Sequence, residues 1–221
     1  GLGYVGLPIL LNLSKKIKTI GFDINKKKIL DLKNSRDTFN EFKKRDFIKK
    51  KFFFTSDIFK AKSANFFIVA VPTPISKSKY PDLSHLKKVS DNISKILKKG
   101  DIIFFESTVY PGTSELLIKN IFEKKTKLKE GKDFWVGYSP ERINPGDKIH
   151  SIHKTSKIVA FNSNLKNVKE KIINVYKAIT PNLHITNSIK DAETAKIIEN
   201  TQRDLNIAPM NDIYLFSKKM D

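Results

Sequence analysis

The sequence predicts an α/β fold with a mostly parallel sheet, and three observations carry that prediction. Short apolar runs alternate with segments of helical spacing along nearly the whole chain. Two of those runs, Phe66-Phe67-Ile68-Val69-Ala70-Val71 and Ile102-Ile103-Phe104-Phe105, are continuous rather than alternating, as in strands buried on both faces. The chain also opens on Gly1-Leu2-Gly3-Tyr4-Val5-Gly6, a Gly-x-Gly-x-x-Gly turn leading straight into helical spacing.

Each element follows from local chemistry. Leu7–Leu13 reads as a helix with Pro8 tolerated in its first turn. Ile17–Phe22 reads as a strand ending at Asp23, and Asn25–Leu32 as a helix. Phe39–Lys50 reads as a charged helical insert, and Lys51–Thr55 as extended. Leu83–Leu97 has apolar residues at helical spacing, and Gly100 ends it. Thr113–Phe122 reads as helix, Phe134–Tyr138 and Lys157–Phe161 as strands, Val168–Ile179 as helix and His184–Thr186 as a short strand. From Ser188 a helical pattern runs to the end, with Pro209 expected to interrupt it. The division expected is a sheet domain over 1–187 and the start of a second, helical domain over 188–221.

Composition narrows the class. The 221 residues, 39% of them hydrophobic and including 16 Phe and 6 Tyr, supply a sizeable core and argue against disorder. No apolar run approaches the roughly 18–20 residues of a membrane helix, so no membrane insertion is expected. No basic-then-apolar leader opens the chain, and a cytoplasmic location is expected. With no Cys, disulfides, thiol catalysis and Cys-ligated metal sites are excluded from this stretch, and no metal is expected. The net charge of +19 is carried almost entirely by lysines scattered along the chain; the arginines are Arg36, Arg45, Arg142 and Arg203. A nucleic-acid surface uses Arg for bidentate grip, so no nucleic-acid partner is expected, although the field favours an anionic substrate.

The opening turn carries a specific chemistry. In a dinucleotide-binding unit of the Rossmann type the fingerprint follows a strand, which is absent here. The expectation is a fragment that lacks its first strand and ends within its last helix. Gly1 permits the tight turn, Gly3 lets the backbone approach a pyrophosphate, and Gly6 lets helix and strand pack closely. The helix N-terminus offers N–H groups and positive potential to phosphates. Asp23 stands at the expected distance, about 20 residues on, to accept hydrogen bonds from the adenosine ribose. It would repel a 2′-phosphate, which favours NAD over NADP. Lys28 could offset that repulsion, and Asp23 could instead cap the following helix.

Ligands of an open parallel sheet bind at the C-terminal strand ends. The loops there are Pro72-Thr73-Pro74, Glu106–Thr113 and Ser139–Lys148. Their small hydroxyls and stiffening prolines describe a cofactor and substrate cleft; ordinary capped turns are the alternative. On the last helix Glu193, Lys196 and Asn200 share one face. A Lys and an Asn aimed at one oxygen make an oxyanion site, and a solvated Glu–Lys pair is the alternative.

Taken together, Gly1–Pro8, Val71–Pro74, Glu106–Thr113, Tyr138–Lys148 and Ala192–Asn206 resemble the nucleotide-sugar 6-dehydrogenases, the UDP-glucose/UDP-mannosaminuronate dehydrogenase superfamily. Glu106–Gly112, Gly137–Lys148 and Ile198–Ala208 are most similar to the UDP-N-acetylhexosamine branch, and the chain corresponds to the N-terminal half of such an enzyme. The resemblance implies a two-step, NAD-dependent oxidation of a sugar C6 alcohol to the carboxylate, for surface polysaccharide synthesis. It implies that Gly1, Gly3, Tyr4, Val5 and Gly6 hold the pyrophosphate, that Asp23 and Lys28 hold the ribose, and that Thr73, Ser107 and Thr108 line the cofactor cleft. It implies that Lys196 and Asn200 stabilise oxyanions at C6, that Glu141 acts as acid/base, that Thr108 positions water, and that Arg142, Ile143 and Asn144 contact the sugar together with Glu141, Lys196 and Asn200. The last helix then begins a central dimerisation domain, and the full-length enzyme is a homodimer. The nucleophilic Cys of such enzymes lies in the C-terminal half, so the fragment alone is expected to be inactive. Pro145 stands where some glucose-acting relatives carry a second acid. A single-step hydroxyacid-type dehydrogenase and a non-catalytic nucleotide-binding remnant are the competing readings.

Overall fold

A computed structural model describes residues 1–48, 51–141 and 156–220. Helix α1 (Gly6–Leu13) is followed by β1 (Thr19–Phe22), α2 (Lys26–Lys33) and β2 (Phe52–Thr55). Then come β3 (Phe66–Val69), α3 (Ser84–Ser94), β4 (Ile102–Phe105), α4 (Lys119–Thr126) and β5 (Trp135–Tyr138). The chain continues through β6 (Lys157–Phe161), α5 (Lys166–Ile179), β7 (Leu183–Thr186) and α6 (Ile189–Met220). The expected alternation is present, and each βα connection carries a helix back across the sheet.

The sheet is in two pieces. Strands β1 and β2 form a parallel pair; the other five follow the order β3-β4-β5-β6-β7. The free edges of β1 and β3 border a cavity of about 550 Å³ lined by apolar side chains of α1 and of both strands, including Ile9, Leu10, Ile20 and Phe67. Helix α1 packs against β1 along this slot. Direction also changes once: β3, β4 and β5 are parallel, whereas β6 pairs antiparallel with β5, and β7 runs parallel to β6. An antiparallel return needs no crossover helix.

Burial on both faces explains the continuous apolar strands. In β4, Ile103 and Phe105 join a core with Leu86, Ile93, Phe122 and Phe134 under α3 and α4. Ile102 and Phe104 point the other way, to Ile9, Val159, Ile172 and Tyr176 under α1 and α5. Period-2 alternation thus persists, but both faces are dry. A third cluster, with Leu7, Leu11, Ile29, Leu32 and Phe54, closes α1 and α2 over β2. At the centre the Phe104 ring stacks on Phe66 at 5.6 Å and meets Tyr176 at 4.9 Å. Gly137 is the register partner of Phe104 on β5. A Cβ there would stand 2.2 Å from the ring, so only glycine leaves the ring its place.

Three segments depart from expectation. Phe39–Lys50 is not a helical insert: the Asp37 carboxylate accepts the N–H groups of Phe39, Glu41 and Phe42, and one 3₁₀ turn, Lys44–Phe47, follows. A side chain that competes for backbone donors favours turn over helix; residues 49–50 lie outside the described ones. Thr113–Phe122 is helical but begins with a π turn over Ser114–Ile118. Pro209 does not interrupt α6, which runs through it. Proline removes one N–H donor, and the turns on either side close around that single lost bond.

Only the first turns of α6 are buried, through Ile189, Ala192, Glu193 and Lys196; residues 201–220 are exposed, including Leu205, Met210, Tyr214 and Phe216. Among the described residues no helix is long and apolar enough to cross a membrane, and no cluster of His, Asp and Glu could hold a metal ion.

Replacement of Gly137 by Ala is expected to overpack the Phe66–Phe104–Tyr176 stack and destabilise the fold by about 1–3 kcal/mol. Urea unfolding followed by Trp135 fluorescence, the one tryptophan and itself on β5, measures this directly.

Candidate functional site

A cleft of about 930 Å³ opens along the C-terminal edge of β3, β4 and β5, of the size and place expected for a small-molecule cofactor. Its floor is the glycine turn. A Cβ on Gly1 would lie 2.3 Å from the Ala70 carbonyl oxygen, and one on Gly6 would lie 1.9 Å from the carbonyl oxygen of Gly1. Both glycines are therefore demanded by close backbone packing. Around Gly3 there is open space, and it lines the cleft with Gly1, Tyr4 and Val5. Gly6 is not on the lining; its part is to let α1 begin against the turn. Val5 precedes α1 without a side-chain cap, so the helix N-terminus offers its N–H groups toward the cleft.

Asp23 closes one end. Its Oδ2 accepts the Leu2 N–H at 2.9 Å and the Lys28 ammonium at 3.2 Å, and its Oδ1 accepts the Asn25 N–H at 2.9 Å. Burial works to raise its pKa, but the two backbone N–H groups and Lys28 outweigh it and hold the carboxyl below its usual range. Asp23 thus ties the glycine turn to the end of β1. The helix cap itself is Asn25, whose side chain accepts the Lys28 N–H. Asp23 and Lys28 both line the cleft.

The strand-end loops converge as expected. Thr73 Oγ1 donates to the Thr108 carbonyl at 2.6 Å. Ser107 Oγ donates to the Val71 carbonyl at 2.6 Å and accepts the Val71 N–H at 3.1 Å. These hydroxyls stitch the β3 and β4 loops to each other rather than cap a helix. Thr73, Ser107, Thr108 and Glu141 all line the cleft, as does Asn200 from α6.

Helix α6 is held there by a carboxylate. Glu193, fully buried, accepts the Gly112 N–H at 2.5 Å and the Ser114 N–H at 2.9 Å. Burial raises its pKa, against the two backbone N–H groups that stabilise its ionised form. One turn on, Lys196 is buried, with its ammonium 3.5 Å from Glu199. It is not a solvated pair; burial lowers its pKa, with Glu199 acting the other way. Lys196 is not on the lining of the cleft, whereas Ile197 and Asn200 are. Arg142, Ile143 and Asn144 lie outside the described residues.

Several residues were not legible as site residues. Glu106, Lys157 and Tyr176 form a buried cluster beside Glu141, with Lys157 Nζ 2.5 Å from Glu106 Oε2 and 3.8 Å from Glu141 Oε2. The available signal was a charge closing or opening an apolar run, which Glu106 and Lys157 do. His85, Lys88 and Asn92 line the cleft from α3, and Phe39 does so from the insert. Helical spacing alone gave α3 no direction toward a site.

A two-faced sheet, an open glycine turn at a helix N-terminus and an acid at the end of the next strand define a dinucleotide-binding domain. The family model described as "UDP-glucose/GDP-mannose dehydrogenase family, NAD binding domain" matches residues 1–180, and the chain belongs to that family. The cofactor of the domain is NAD. Protein CapL of Staphylococcus aureus is 46% identical over 222 residues, all of this chain and 52% of that protein. The UDP-N-acetyl-D-glucosamine 6-dehydrogenase of Salmonella typhi is 44% identical over 227 residues, again all of this chain and 52% of that one. The solved structure of a UDP-D-ManNAc dehydrogenase from Pyrococcus horikoshii superposes with a TM-score of 0.87 at 30% identity, over 96% of this chain and 51% of that one. The chain therefore spans about half the length of the relatives it matches.

Removing the Glu193 carboxylate strands two buried backbone donors. Glu193→Ala is expected to cost about 2–4 kcal/mol, read as a lower urea midpoint, and to increase hydrogen exchange at Gly112 and Ser114.

Proposed function

We propose that this chain is the NAD-binding half of a dehydrogenase that oxidises C6 of a UDP-N-acetylhexosamine to the uronic acid in two steps. The observation that supports it most is one cleft bordered at once by the glycine turn, Asp23, Thr108, Glu141 and Asn200. In this reading 1–187 is the cofactor domain and 188–221 begins a central domain. The exposed apolar residues of α6, such as Leu205, Met210 and Phe216, then meet a second copy in a homodimer. The reaction belongs to the cytoplasm, and its product supplies surface polysaccharide.

Gly1, Gly3, Tyr4 and Val5 hold the pyrophosphate through backbone N–H groups and the dipole of α1, and Gly6 lets that helix start close enough to do so. Asp23 accepts from the adenosine ribose hydroxyls, with Lys28 beside it. Thr73, Ser107 and Thr108 shape the nicotinamide end. NAD held by these residues would supply the hydride acceptor for oxidation at C6. Lys196 and Asn200 neutralise oxyanion charge developing at C6; the partly dehydrated Lys196 is suited to this because buried charge interactions are strong. Glu141 serves as acid/base in the hydrolytic step, and Thr108 positions the water. Arg142, Ile143 and Asn144 join Glu141, Lys196 and Asn200 around the sugar. The thiol nucleophile comes from outside this chain, which has no Cys.

Two measurements test the reading. Calorimetry on the full-length protein is expected to detect NAD binding tighter than NADP binding, with this chain alone binding NAD poorly, and Asp23→Asn to weaken NAD at least about tenfold while narrowing that preference. With UDP-N-acetylglucosamine, the full-length protein is expected to yield two NADH per sugar, and this chain alone none. One NADH per sugar would support the single-step reading instead, and no turnover at full length the remnant.

A further inference from the structure

Lys157 is a buried cation that the proposed reaction does not use, and the fold explains how it arrives where it is. Strands β3, β4 and β5 begin at the edge of the sheet away from the cleft and end at it. Strand β6 runs the other way, with Gly137 opposite Phe161 and Tyr138 opposite Ala160. Carried on by the same register, Lys157 falls opposite Glu141. The antiparallel turn of the sheet thus brings the first residue of β6 to the cleft edge, where a parallel strand would have brought its last.

The ammonium has a fixed position there. Lys157 Nζ donates to Glu106 Oε2 at 2.5 Å and to the Pro140 carbonyl at 3.5 Å. Glu106 is itself held: its Oε1 accepts the Tyr176 hydroxyl at 2.9 Å, and Tyr176 is fully buried on α5. On the open side Lys157 faces Glu141 Oε2 at 3.8 Å. One cation therefore serves two carboxyls that both border the cleft, Glu106 almost wholly buried and Glu141 the more open of the two. Burial pushes the Glu106 carboxyl up to about 7 despite Lys157, while the two carboxylates hold Lys157 protonated against the same burial.

We propose that Lys157, anchored by Glu106 and Tyr176, is a positioning residue that holds the Glu141 carboxylate at the Thr108 end of the cleft. Its functional weight rests on the reading of Glu141 as the acid/base group; the contact itself does not.

The experiment separates the two. A buried, hydrogen-bonded ammonium exchanges slowly with water and gives a resolved correlation in a spectrum of ¹⁵N-lysine-labelled chain. Lys157→Arg keeps the charge and identifies the Lys157 signal by its loss. Glu141→Gln is then expected to move that signal and speed its exchange several-fold, and Glu106→Gln to do so more strongly. A Lys157 signal untouched by Glu141→Gln but moved by Glu106→Gln would overturn the proposal, since Lys157 would then serve the core pair alone. In the full-length protein, Lys157→Met is expected to lower kcat about tenfold or more with KM for NAD little changed. An unchanged kcat in a folded Lys157→Met protein would also overturn it. Full activity of Glu141→Gln would sink the acid/base reading while leaving the spectroscopic coupling intact.

Discussion

The site depends on a carboxylate that never faces the cleft. Glu193 reaches from α6 to the N–H groups of Gly112 and Ser114, in the loop that follows β4 and turns into the π-helical start of α4. Those donors have no helical acceptor of their own at a helix start, and α6 supplies one from a distant part of the sequence. The next turn of α6 carries Lys196, and the one after it Asn200. The distance between α6 and the Thr108 loop is consequently set by two hydrogen bonds in a dry environment, where an unmet donor is costly. Everything proposed for C6 chemistry assumes that spacing.

Beneath that contact, the sheet works as a rigid support because its centre is filled without slack. Phe104 lies flat on Phe66 and against Tyr176, over a glycine on the neighbouring strand. Tyr176 then does two things at once. Its ring closes the hydrophobic core on the α5 side, and its hydroxyl emerges at the sheet edge to meet Glu106. Packing and polar chemistry are linked through one side chain, so the Glu106–Lys157 pair is positioned by the core itself. Asp23 has the corresponding role at the other end, where one carboxylate joins the glycine turn to the end of β1. Both ends of the cleft are thus bounded by buried or half-buried acids with fixed partners.

Much of this was legible in advance. The glycine turn, its helix, Asp23, the paired dry strands and the loops after them follow from periodicity and residue chemistry, and the fold agrees in order and type. The departures share a cause: a local pattern was overruled by something it could not register. Asp37 takes the backbone donors that a helix over Phe39–Lys50 would have used. The reversed strand β6 has the same apolar spelling as a parallel one. Helix α6 carries on through Pro209, where the helical spacing on both sides prevails over one lost donor.

Sequence by itself determined the class of fold, the dinucleotide turn and which residue types could carry chemistry at the strand ends, because these depend on contacts between near neighbours and on period. Tertiary structure alone decided that Glu193 serves a loop roughly eighty residues away, by sequence separations of 81 and 79 to its two donors. It alone decided that Lys157 meets Glu106 and Glu141, and that α3 turns His85, Lys88 and Asn92 toward the cleft. For the two buried charges the physical reason is common. A buried charge or donor is stabilised by whichever partner the packed chain brings within about 3 Å, and strand direction and register set that partner.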